Sequence, residues 1–340
     1  MLEYFPWSSK VLDETIADYR NNQLSILDLE LGGGCNCNCL YCDSPNRSVQ
    51  MEYTVESIAE LLETGYFKWL FICGLGEPTF ERNLDVLERL LKVCDKCNIR
   101  CSIFTNALNI TPLIRQLLNK GILHILFKYD SFDDNVNDKI FGKKLTIGYN
   151  TIFSEMQSSV ITTREYTNIA ASIVPTIYNE DIICELAKKC INANIFPLIG
   201  ALELAGKATE RYEEIVPKTE KLLAAKSLID QMFFGRYRIP ICPSTIGAIH
   251  IAANGDIVVD AMSGLSCSWF WLKTPNTISV GNINQGFDYC EIVNKIIAYR
   301  KKVFYNLSSM ENTLSDSPFG GCGGDKKELL SIYMNIMKQK

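Results

Sequence analysis

The sequence predicts an α/β fold built on a partial parallel barrel. Apolar, strand-like runs alternate with helical patterns from residue 26 onward, and this alternation is typical of βα units with parallel strands. Polar and glycine-containing segments follow several of these runs, at the end of the strands where a parallel barrel carries its active site. The predicted strands are Ile26–Leu31, Trp69–Cys73, Arg100–Thr105, His124–Tyr129, Asn168–Pro175 and Ile195–Leu202.

The helices predicted between these strands carry recognisable start signals. Thr54 is placed to cap one helix, and Thr111 precedes a proline at the first position of another. A charged helical stretch from Lys207 to Phe234 follows the last strand and predicts a connector. The other predicted helices are Val55–Thr64, Leu84–Cys94, Pro112–Lys120, Ile147–Met156 and Glu180–Ile191.

A different pattern begins near residue 236. Two apolar runs, Ile249–Ala253 and Asp256–Val259, flank Asn254-Gly255, the pair that a type I′ hairpin turn requires. The sequence therefore predicts two domains. The first is a barrel over residues 1–235, including the connector from about residue 207, and the second is a small β-hairpin-containing domain over residues 236–340.

Length and composition limit the function classes. The chain has 340 residues and is 47% hydrophobic, which suits one large α/β domain with a smaller appendage. Its net charge of −5 and the absence of a basic block disfavour nucleic acid as a partner. No apolar run reaches membrane-spanning length and the N-terminus does not resemble a signal peptide, so we expect a cytoplasmic protein without a membrane partner.

Cysteine and histidine usage points to reduced thiols. Fourteen cysteines without an export signal favour metal ligands or catalytic groups over a disulfide framework. Only two histidines occur, and His124 lies in an apolar strand where we expect it to be packed. Cys94, Cys97 and Cys101 fall away from the expected site and are interpreted as buried thiols.

The most informative segment is the loop after the first predicted strand. Cys35, Cys39 and Cys42 form a C-x3-C-x2-C pattern there. Three thiolates on one loop suit a 4Fe–4S cluster that keeps one iron without a protein ligand, because an electron-transfer cluster takes a fourth cysteine. Cys37 is the expected non-ligand, since choosing it would change this spacing. A zinc site, which needs a fourth Cys or His at short spacing, is the alternative.

The cysteine spacing, with the aromatic Tyr41 just before the third cysteine, resembles the signature of the radical S-adenosylmethionine (SAM) superfamily. The resemblance implies a partial (β/α)6 TIM-like barrel, a site-differentiated 4Fe–4S cluster on Cys35, Cys39 and Cys42, and SAM as a second cofactor. In that family the open iron holds SAM, and the reduced cluster cleaves it to a 5′-deoxyadenosyl radical. The similarity covers about the first two hundred residues.

Three later strand ends extend the resemblance. Leu75-Gly76-Glu77-Pro78 is similar to the Gly-Gly-Glu-Pro segment that holds the SAM amino group, with Leu75 in place of the first glycine. An ordinary turn and a helix cap are the structural alternatives for these segments. By resemblance, the other cofactor-binding candidates are Thr105, Asn106, Lys128, Asp130 and Ser131, together with Tyr41.

The C-terminal region is similar to SPASM and twitch extensions, in which C-x9–15-G-x4-C supplies ligands of an auxiliary 4Fe–4S cluster. Cys242 and Gly255 fit this pattern, but Asp260 stands where the second cysteine is expected, and Asp325 replaces another. A degenerate extension without a cluster therefore stays open. The expected ligands of this second, auxiliary 4Fe–4S cluster are Cys242, Cys267, Cys322 and Asp260.

The resemblance implies an oxidoreductase or maturase that abstracts hydrogen from a C–H bond. The favoured substrate is a ribosomally made peptide or protein that is oxidised, cross-linked or epimerised, and a small polar metabolite such as a sugar or aminocyclitol is the alternative. A non-catalytic metal-binding scaffold is the alternative from another class. The expected partner is a low-potential electron donor such as flavodoxin or ferredoxin. Glu203 is a substrate-side candidate, and the candidate hydrogen-donating thiols are Cys73, Cys267 and Cys290.

Overall fold

A nine-stranded sheet runs through the computed structural model, which describes residues 2–42, 49–72, 74–202, 206–233, 237, 241–259, 278–307 and 326–338. Its strands are β2 (Ile26–Leu29), β3 (Trp69–Ile72), β4 (Arg100–Thr105), β5 (Leu123–Lys128), β7 (Ile169–Ile173), β8 (Phe196–Ile199), β9 (Ala248–Ile251), β10 (Asp256–Val259) and β11 (Ile278–Asn282). Two short strands, β1 (Glu3–Tyr4) and β6 (Tyr166–Thr167), pair separately.

The sheet order confirms the predicted α/β fold class. All six predicted strands are present, and they pair in parallel in chain order as β2-β3-β4-β5-β7-β8. Parallel neighbours that follow chain order are the arrangement of a βα barrel wall. The carboxyl ends of these strands therefore lie along one edge of the sheet, where the cysteine loop begins.

The predicted helices are found with shifted ends, the predicted connector forms two helices, and five further α-helices occur among the described residues. Thr54 and Thr111 cap their helices as expected, because each side chain accepts a backbone hydrogen bond. The five that were not predicted are α1, α5, α10, α11 and α12. The helices are α1 (Ser9–Arg20), α2 (Val55–Glu63), α3 (Glu81–Cys97), α4 (Pro112–Asn119), α5 (Asp134–Ile140), α6 (Tyr149–Ser158), α7 (Ile183–Asn192), α8 (Lys207–Ile215), α9 (Thr219–Met232), α10 (Ser244–Gly247), α11 (Tyr289–Leu307) and α12 (Lys326–Lys338).

The C-terminal hairpin is present, but the predicted turn type is wrong. Gly255 has a φ of +82°, whereas Asn254 is not in the left-handed region, so the two positive φ values of a type I′ turn are missing. The Gly255 N–H instead donates to the Ala252 carbonyl at 2.8 Å, which closes a longer turn with one left-handed residue at its end. Strand β9 also pairs in parallel with β2, so the hairpin extends the barrel sheet. The division at residue 235 stays a prediction.

The two faces of the sheet carry different residues. Leu27 and Leu29 share one large apolar cluster with residues of helices α2 to α4. Ile26 belongs to a second cluster with Trp69 and Phe71, on the face opposite α2 to α4, and Val11 of α1 packs into this cluster. Within the described ranges, no helix combines the length and apolar character needed to cross a bilayer.

Gly255 tests the geometry of the hairpin turn, and Gly65, which lies between α2 and β3, serves as the comparison. Gly65 has a φ of +80° in open space, so Gly65→Ala is expected to cost about 1 kcal/mol from backbone strain alone. Gly255→Ala is expected to cost more, because its Cβ would also lie 2.9 Å from Asn284 Nδ2 and 3.1 Å from Asn282 Oδ1. Urea unfolding of both variants measures the difference. Equal losses would contradict the turn described here.

Candidate active site at the carboxyl ends of the strands

The cysteine loop follows β2 and is held by the end of α5. Cys35, Cys39 and Cys42 are partly exposed, whereas Cys37 is buried with 3% exposure. The N–H of Asn38 donates to the Phe141 carbonyl at 2.8 Å, and the N–H of Leu40 donates to the Ile140 carbonyl at 2.9 Å. The loop therefore has a defined backbone path supported by a helix that the sequence did not reveal.

The thiols of the loop influence one another. Burial is the main reason that the pKa of Cys39 is raised, and the neighbouring thiols of Cys42 and Cys35 raise it further, while the Lys128 ammonium lowers it. The pKa of Cys37 is also raised, first by its hydrogen bond with Cys35 and then by burial. The three predicted ligands thus lie within electrostatic range of each other.

The loop differs from a site for a single ion. In the part of the chain that the structure describes, no three Cys, His, Asp or Glu side chains converge on one metal position. Zinc gathers its ligands around one ion, whereas an iron–sulfur cubane binds each cysteine through a different iron. The chemistry of the three thiols and their spacing along the sequence fit such a cluster.

The loop after β3 lies against the cysteine loop, with no space for a side chain between them. A Cβ on Gly76 would lie 2.7 Å from the Gly34 carbonyl oxygen and closer still to that of Gly32. The N–H of Glu77 donates to the Gly34 carbonyl at 2.8 Å. Gly76 is therefore required by the direct backbone contact between the two predicted loops.

Asn83 joins the same two loops and was not predicted. Its Nδ2 donates to the Gly32 carbonyl at 2.9 Å and to the Glu77 carbonyl at 3.0 Å. The side chain is buried on the first turn of α3. Its only sequence signal is an amide residue at a helix start directly after the Gly76-Glu77-Pro78 segment.

Glu77 links the loop after β3 to the loop after β4. Its Oε1 accepts hydrogen bonds from the Thr79 N–H at 3.0 Å, the Thr79 hydroxyl at 2.7 Å and the Thr105 hydroxyl, and its Oε2 accepts from the Asn106 N–H at 2.7 Å. Burial raises the pKa of Glu77, and these hydrogen bonds only partly offset it. The carboxylate is thus bound by the protein on both oxygens, while Pro78 beside it is buried.

Asn106 extends the connection to the cysteine loop itself. Its Nδ2 donates to Asn36 Oδ1 at 2.6 Å and contacts the Cys37 sulfur at 3.4 Å, and its carbonyl accepts from the Tyr149 hydroxyl at 3.1 Å. Ala107, the next residue, has a φ of +57°, which is strained for a non-glycine residue. Asn106 therefore acts here as a link between loops.

Lys128, Asp130 and Tyr41 form one cluster beside the cysteines. The Tyr41 hydroxyl donates to Asp130 Oδ2, and Asp130 Oδ1 accepts from the Val174 N–H at 2.7 Å. The Lys128 ammonium lies 3.9 Å from Asp130 Oδ2 and 4.6 Å from the centroid of the Tyr41 ring. Ser131 Oγ accepts a hydrogen bond from the Asp133 N–H at 3.0 Å in the turn before α5, and the N-cap of that helix is Asp133 instead.

The auxiliary-cluster prediction is only partly within the described residues. Cys242 is buried, its sulfur lies 3.0 Å from Ser244 Oγ, and it belongs to the apolar cluster of Trp69 and Phe71. Cys290 is exposed on α11. The other candidates of the C-terminal and substrate-side groups lie outside the described residues: Cys73, Glu203, Asp260, Cys267, Cys322 and Asp325.

Two packing predictions are confirmed. Cys94 and Cys101 are fully buried as predicted, whereas Cys97 at the end of α3 is only partly buried against the same core. His124 is 4% exposed in β5, and burial lowers its pKa to about 3. None of these residues belongs to the edge of the sheet that carries the cysteine loop.

Comparison with protein families identifies the class of domain. A family model for the radical SAM superfamily matches residues 29–148, the segment that contains the cysteine loop and the following three strand-end loops. The chain therefore carries a radical SAM domain, and the family resemblance predicted from the cysteine loop is confirmed. This family implies SAM and a 4Fe–4S cluster as cofactors. No curated protein matches the sequence.

Solved structures share the fold over most of the chain. A structure of anSMEcpe with bound AdoMet and the Cp18Cys peptide aligns with a TM-score of 0.57 at 14% identity, covering 92% of this chain and 96% of that one. SuiB from Streptococcus suis bound to S-adenosylmethionine aligns with a TM-score of 0.55 at 19% identity, covering 95% and 77%. With SuiB bound to precursor peptide SuiA, the TM-score is 0.47 at 17% identity, and the alignment covers 72% of this chain and 62% of SuiB.

Gly76 offers a direct test of the contact between the loops. Gly76→Ala is expected to force the two backbones apart and to lower the iron retained per chain at least several-fold after anaerobic reconstitution. Gly200→Ala is the matched control, because the nearest atom to its Cβ is 3.9 Å away. Iron retained equally by both variants would contradict the contact.

Proposed function

We propose that this protein is a radical SAM enzyme that abstracts hydrogen from a C–H bond of a ribosomally made peptide or protein. One observation carries the proposal: the three-cysteine loop is connected by hydrogen bonds to the Gly76-Glu77-Pro78 and Thr105-Asn106 loops at neighbouring strand ends. A metal-binding scaffold without catalysis would not require that series of contacts. The proposal includes oxidation, cross-linking or epimerisation as outcomes.

The residues divide into ligands and supports. Cys35, Cys39 and Cys42 would hold the 4Fe–4S cluster through three of its irons, which leaves the fourth iron open. When bound and reduced, this group supplies the electron that cleaves SAM into methionine and the 5′-deoxyadenosyl radical. Glu77 and Asn106 would hold the three loops in fixed positions relative to one another, because their polar atoms are already bonded to protein groups.

Lys128 is the strongest candidate for direct contact with the SAM carboxylate. Its ammonium lies over the Tyr41 ring, one residue from Cys42, and its side chain is 12% exposed. Asp130 is fully buried and engaged by Tyr41 and Val174, so it is better placed to orient Tyr41 and Lys128 than to bind ribose. This refines the roles expected from the sequence.

A peptide substrate is supported by the shared fold. The anSMEcpe structure that shares this fold contains a bound peptide, and it aligns along nearly the whole of both chains. A small polar metabolite is the alternative substrate class. The auxiliary cluster on Cys242, Cys267, Cys322 and Asp260 remains part of the proposal, because a one-electron acceptor near the substrate would convert hydrogen abstraction into a net oxidation.

Single cysteine variants test the ligand assignment. Cys39→Ser is expected to remove the iron of the loop and abolish 5′-deoxyadenosine formation, because it deletes one of three ligands. Cys37→Ser is the matched control from the same loop and is expected to retain both iron and activity. The measurement is iron and sulfide content with product analysis after anaerobic reduction in the presence of SAM.

The iron count also separates the two cluster predictions. An iron content of about eight per wild-type chain that falls to about four in Cys39→Ser supports an auxiliary cluster. A content of about four that falls to none contradicts the auxiliary-cluster prediction. Zinc in place of iron, with no SAM cleavage by the wild type, would contradict the enzyme proposal. Loss of iron in Cys37→Ser but not in Cys39→Ser would overturn the ligand set.

Lysines beside the cysteine loop support an acidic electron donor such as flavodoxin or ferredoxin. Lys143 Nζ donates to the Asn36 carbonyl at 3.1 Å, and the Lys207 ammonium donates to the Asn38 side chain. Lys139 and Lys144 are exposed on either side of Lys143. These four lysines, Lys139, Lys143, Lys144 and Lys207, form a positive border beside the cysteine loop. On a chain of net charge −5, this border would steer an acidic protein towards the cluster.

A charge reversal tests this surface separately from the chemistry. Lys143→Glu is expected to slow SAM cleavage driven by reduced flavodoxin several-fold at low salt, with the difference shrinking as salt rises. Cleavage driven by dithionite should be unchanged. Lys92→Glu, an exposed lysine on α3, is the control. An equal effect of both variants with flavodoxin would contradict docking at this border.

A further inference from the structure

Two buried aromatic side chains lie where helix α5 meets helix α6, next to the cysteine loop. Phe141 directly follows α5, Tyr149 is the first residue of α6, and both side chains are fully buried. Their rings are stacked, with centroids 4.8 Å apart and planes inclined by 3°. Ring stacking adds a preferred relative orientation to the burial of apolar area. The stacked pair therefore holds the end of α5 and the start of α6 at a fixed separation.

The Phe141 end of the pair contacts the cysteine loop through its backbone. The Phe141 carbonyl accepts a hydrogen bond from the Asn38 N–H at 2.8 Å. Gly142, the next residue, has a φ of +60°, and a Cβ there would collide with the Asn38 carbonyl oxygen. Asn38 directly precedes Cys39, one of the three proposed cluster ligands. The position of the Phe141 ring therefore affects the backbone that carries a ligand.

The Tyr149 end of the pair contacts the loop after β4. The Tyr149 hydroxyl donates to the Asn106 carbonyl at 3.1 Å. The N–H of the same peptide group, on Ala107, donates to Thr105 Oγ1 at 2.9 Å. Ala107 has a φ of +57°, in the left-handed region that is strained for alanine and persists only where surrounding contacts determine it. The hydroxyl therefore helps to hold a strained peptide at the edge of the site.

We propose that Tyr149 is a positioning residue for the site that binds SAM, an inference that rests on the proposed function. Its ring holds the cysteine loop through Phe141, and its hydroxyl holds the Asn106 peptide in the loop after β4. These two loops follow strands that are separated in the sheet by β3. Glu77 connects them by way of the loop after β3, whereas Tyr149 connects them from helix α6. The site thus has two separate supports.

Tyr129 is the internal comparison, a buried tyrosine that only packs. It is fully buried in the same apolar cluster as Tyr149, and its hydroxyl has no hydrogen-bond partner among the described residues. The Tyr149 N–H, in contrast, is bonded to Asp134 Oδ1 at 3.0 Å, and the Tyr149 hydroxyl is bonded to a carbonyl. Burial is the main reason that the pKa of Tyr149 is raised well above its usual value, so the hydroxyl keeps the proton that it donates.

Iron retention tests the role of the ring without any need for SAM. Tyr149→Leu is expected to lower the iron retained after anaerobic reconstitution by about four per chain, because it removes the stack on Phe141. Tyr149→Phe keeps the stack and is expected to retain iron as the wild type does. Phe141→Leu removes the same stack and replaces Tyr149→Leu if that variant fails to fold. Wild-type iron content in a folded variant without the stack would overturn the role of the ring.

Equilibrium dialysis of the reconstituted full chain with SAM tests the role of the hydroxyl without turnover. Tyr149→Phe is expected to bind SAM several-fold more weakly than the wild type at unchanged iron content, because the Asn106 carbonyl loses its donor. Tyr129→Phe is the matched control, since it also loses a buried hydroxyl, one that has no partner within the described ranges. This control is expected to bind SAM as the wild type does.

The outcomes distinguish this inference from the proposed function. Equal SAM binding by Tyr149→Phe and the wild type would overturn the role of the hydroxyl. Equal weakening in Tyr149→Phe and Tyr129→Phe would also overturn it, because the loss of any buried hydroxyl would then have the same effect. A reconstituted wild type that does not bind SAM would overturn the proposed function and the role of the hydroxyl in it, while the iron measurement would still decide the role of the ring.

Discussion

The site depends on the contact between the backbone of Gly76 and the carbonyls of Gly32 and Gly34. Parallel strands bring the loops after β2 and β3 to the same edge of the sheet, but strand pairing alone does not fix their spacing. The spacing is set because a glycine allows the backbones to touch, and Asn83 then bonds to carbonyls on both sides. The cysteine loop thus takes its shape from its neighbour.

The polar residues of the site act mainly on one another. Glu77 accepts from both Thr105 and Asn106, and Asn106 donates to Asn36 in the cysteine loop, so three strand ends share one buried hydrogen-bond network. Such a network costs little to maintain when every member is bonded, and it holds the three loops in fixed positions relative to one another. Lys128 lies beside this network, with its ammonium over the Tyr41 ring and near Asp130.

The sequence predicts those parts of the structure that depend on local pattern. Six buried strands are predicted because apolar runs alternate with capped helices, and the C-x3-C-x2-C spacing predicts where the site lies. Asn83 and α5 are not predicted from the sequence, because an amide residue at a helix start and a short polar helix have the same sequence pattern as exposed surface segments. The hairpin turn was misassigned because Asn254-Gly255 fits two turn types, and only the register of β9 and β10 separates them.

The most direct test of this account is low-temperature EPR of the reduced, reconstituted full chain with and without SAM. An open iron on the Cys35, Cys39 and Cys42 loop predicts a one-electron-reduced 4Fe–4S signal whose shape changes when SAM is added, because the cofactor becomes a ligand. The change should be missing in a chain that lacks Cys39. A wild-type signal that SAM leaves unchanged, or no cluster signal, would contradict the assignment.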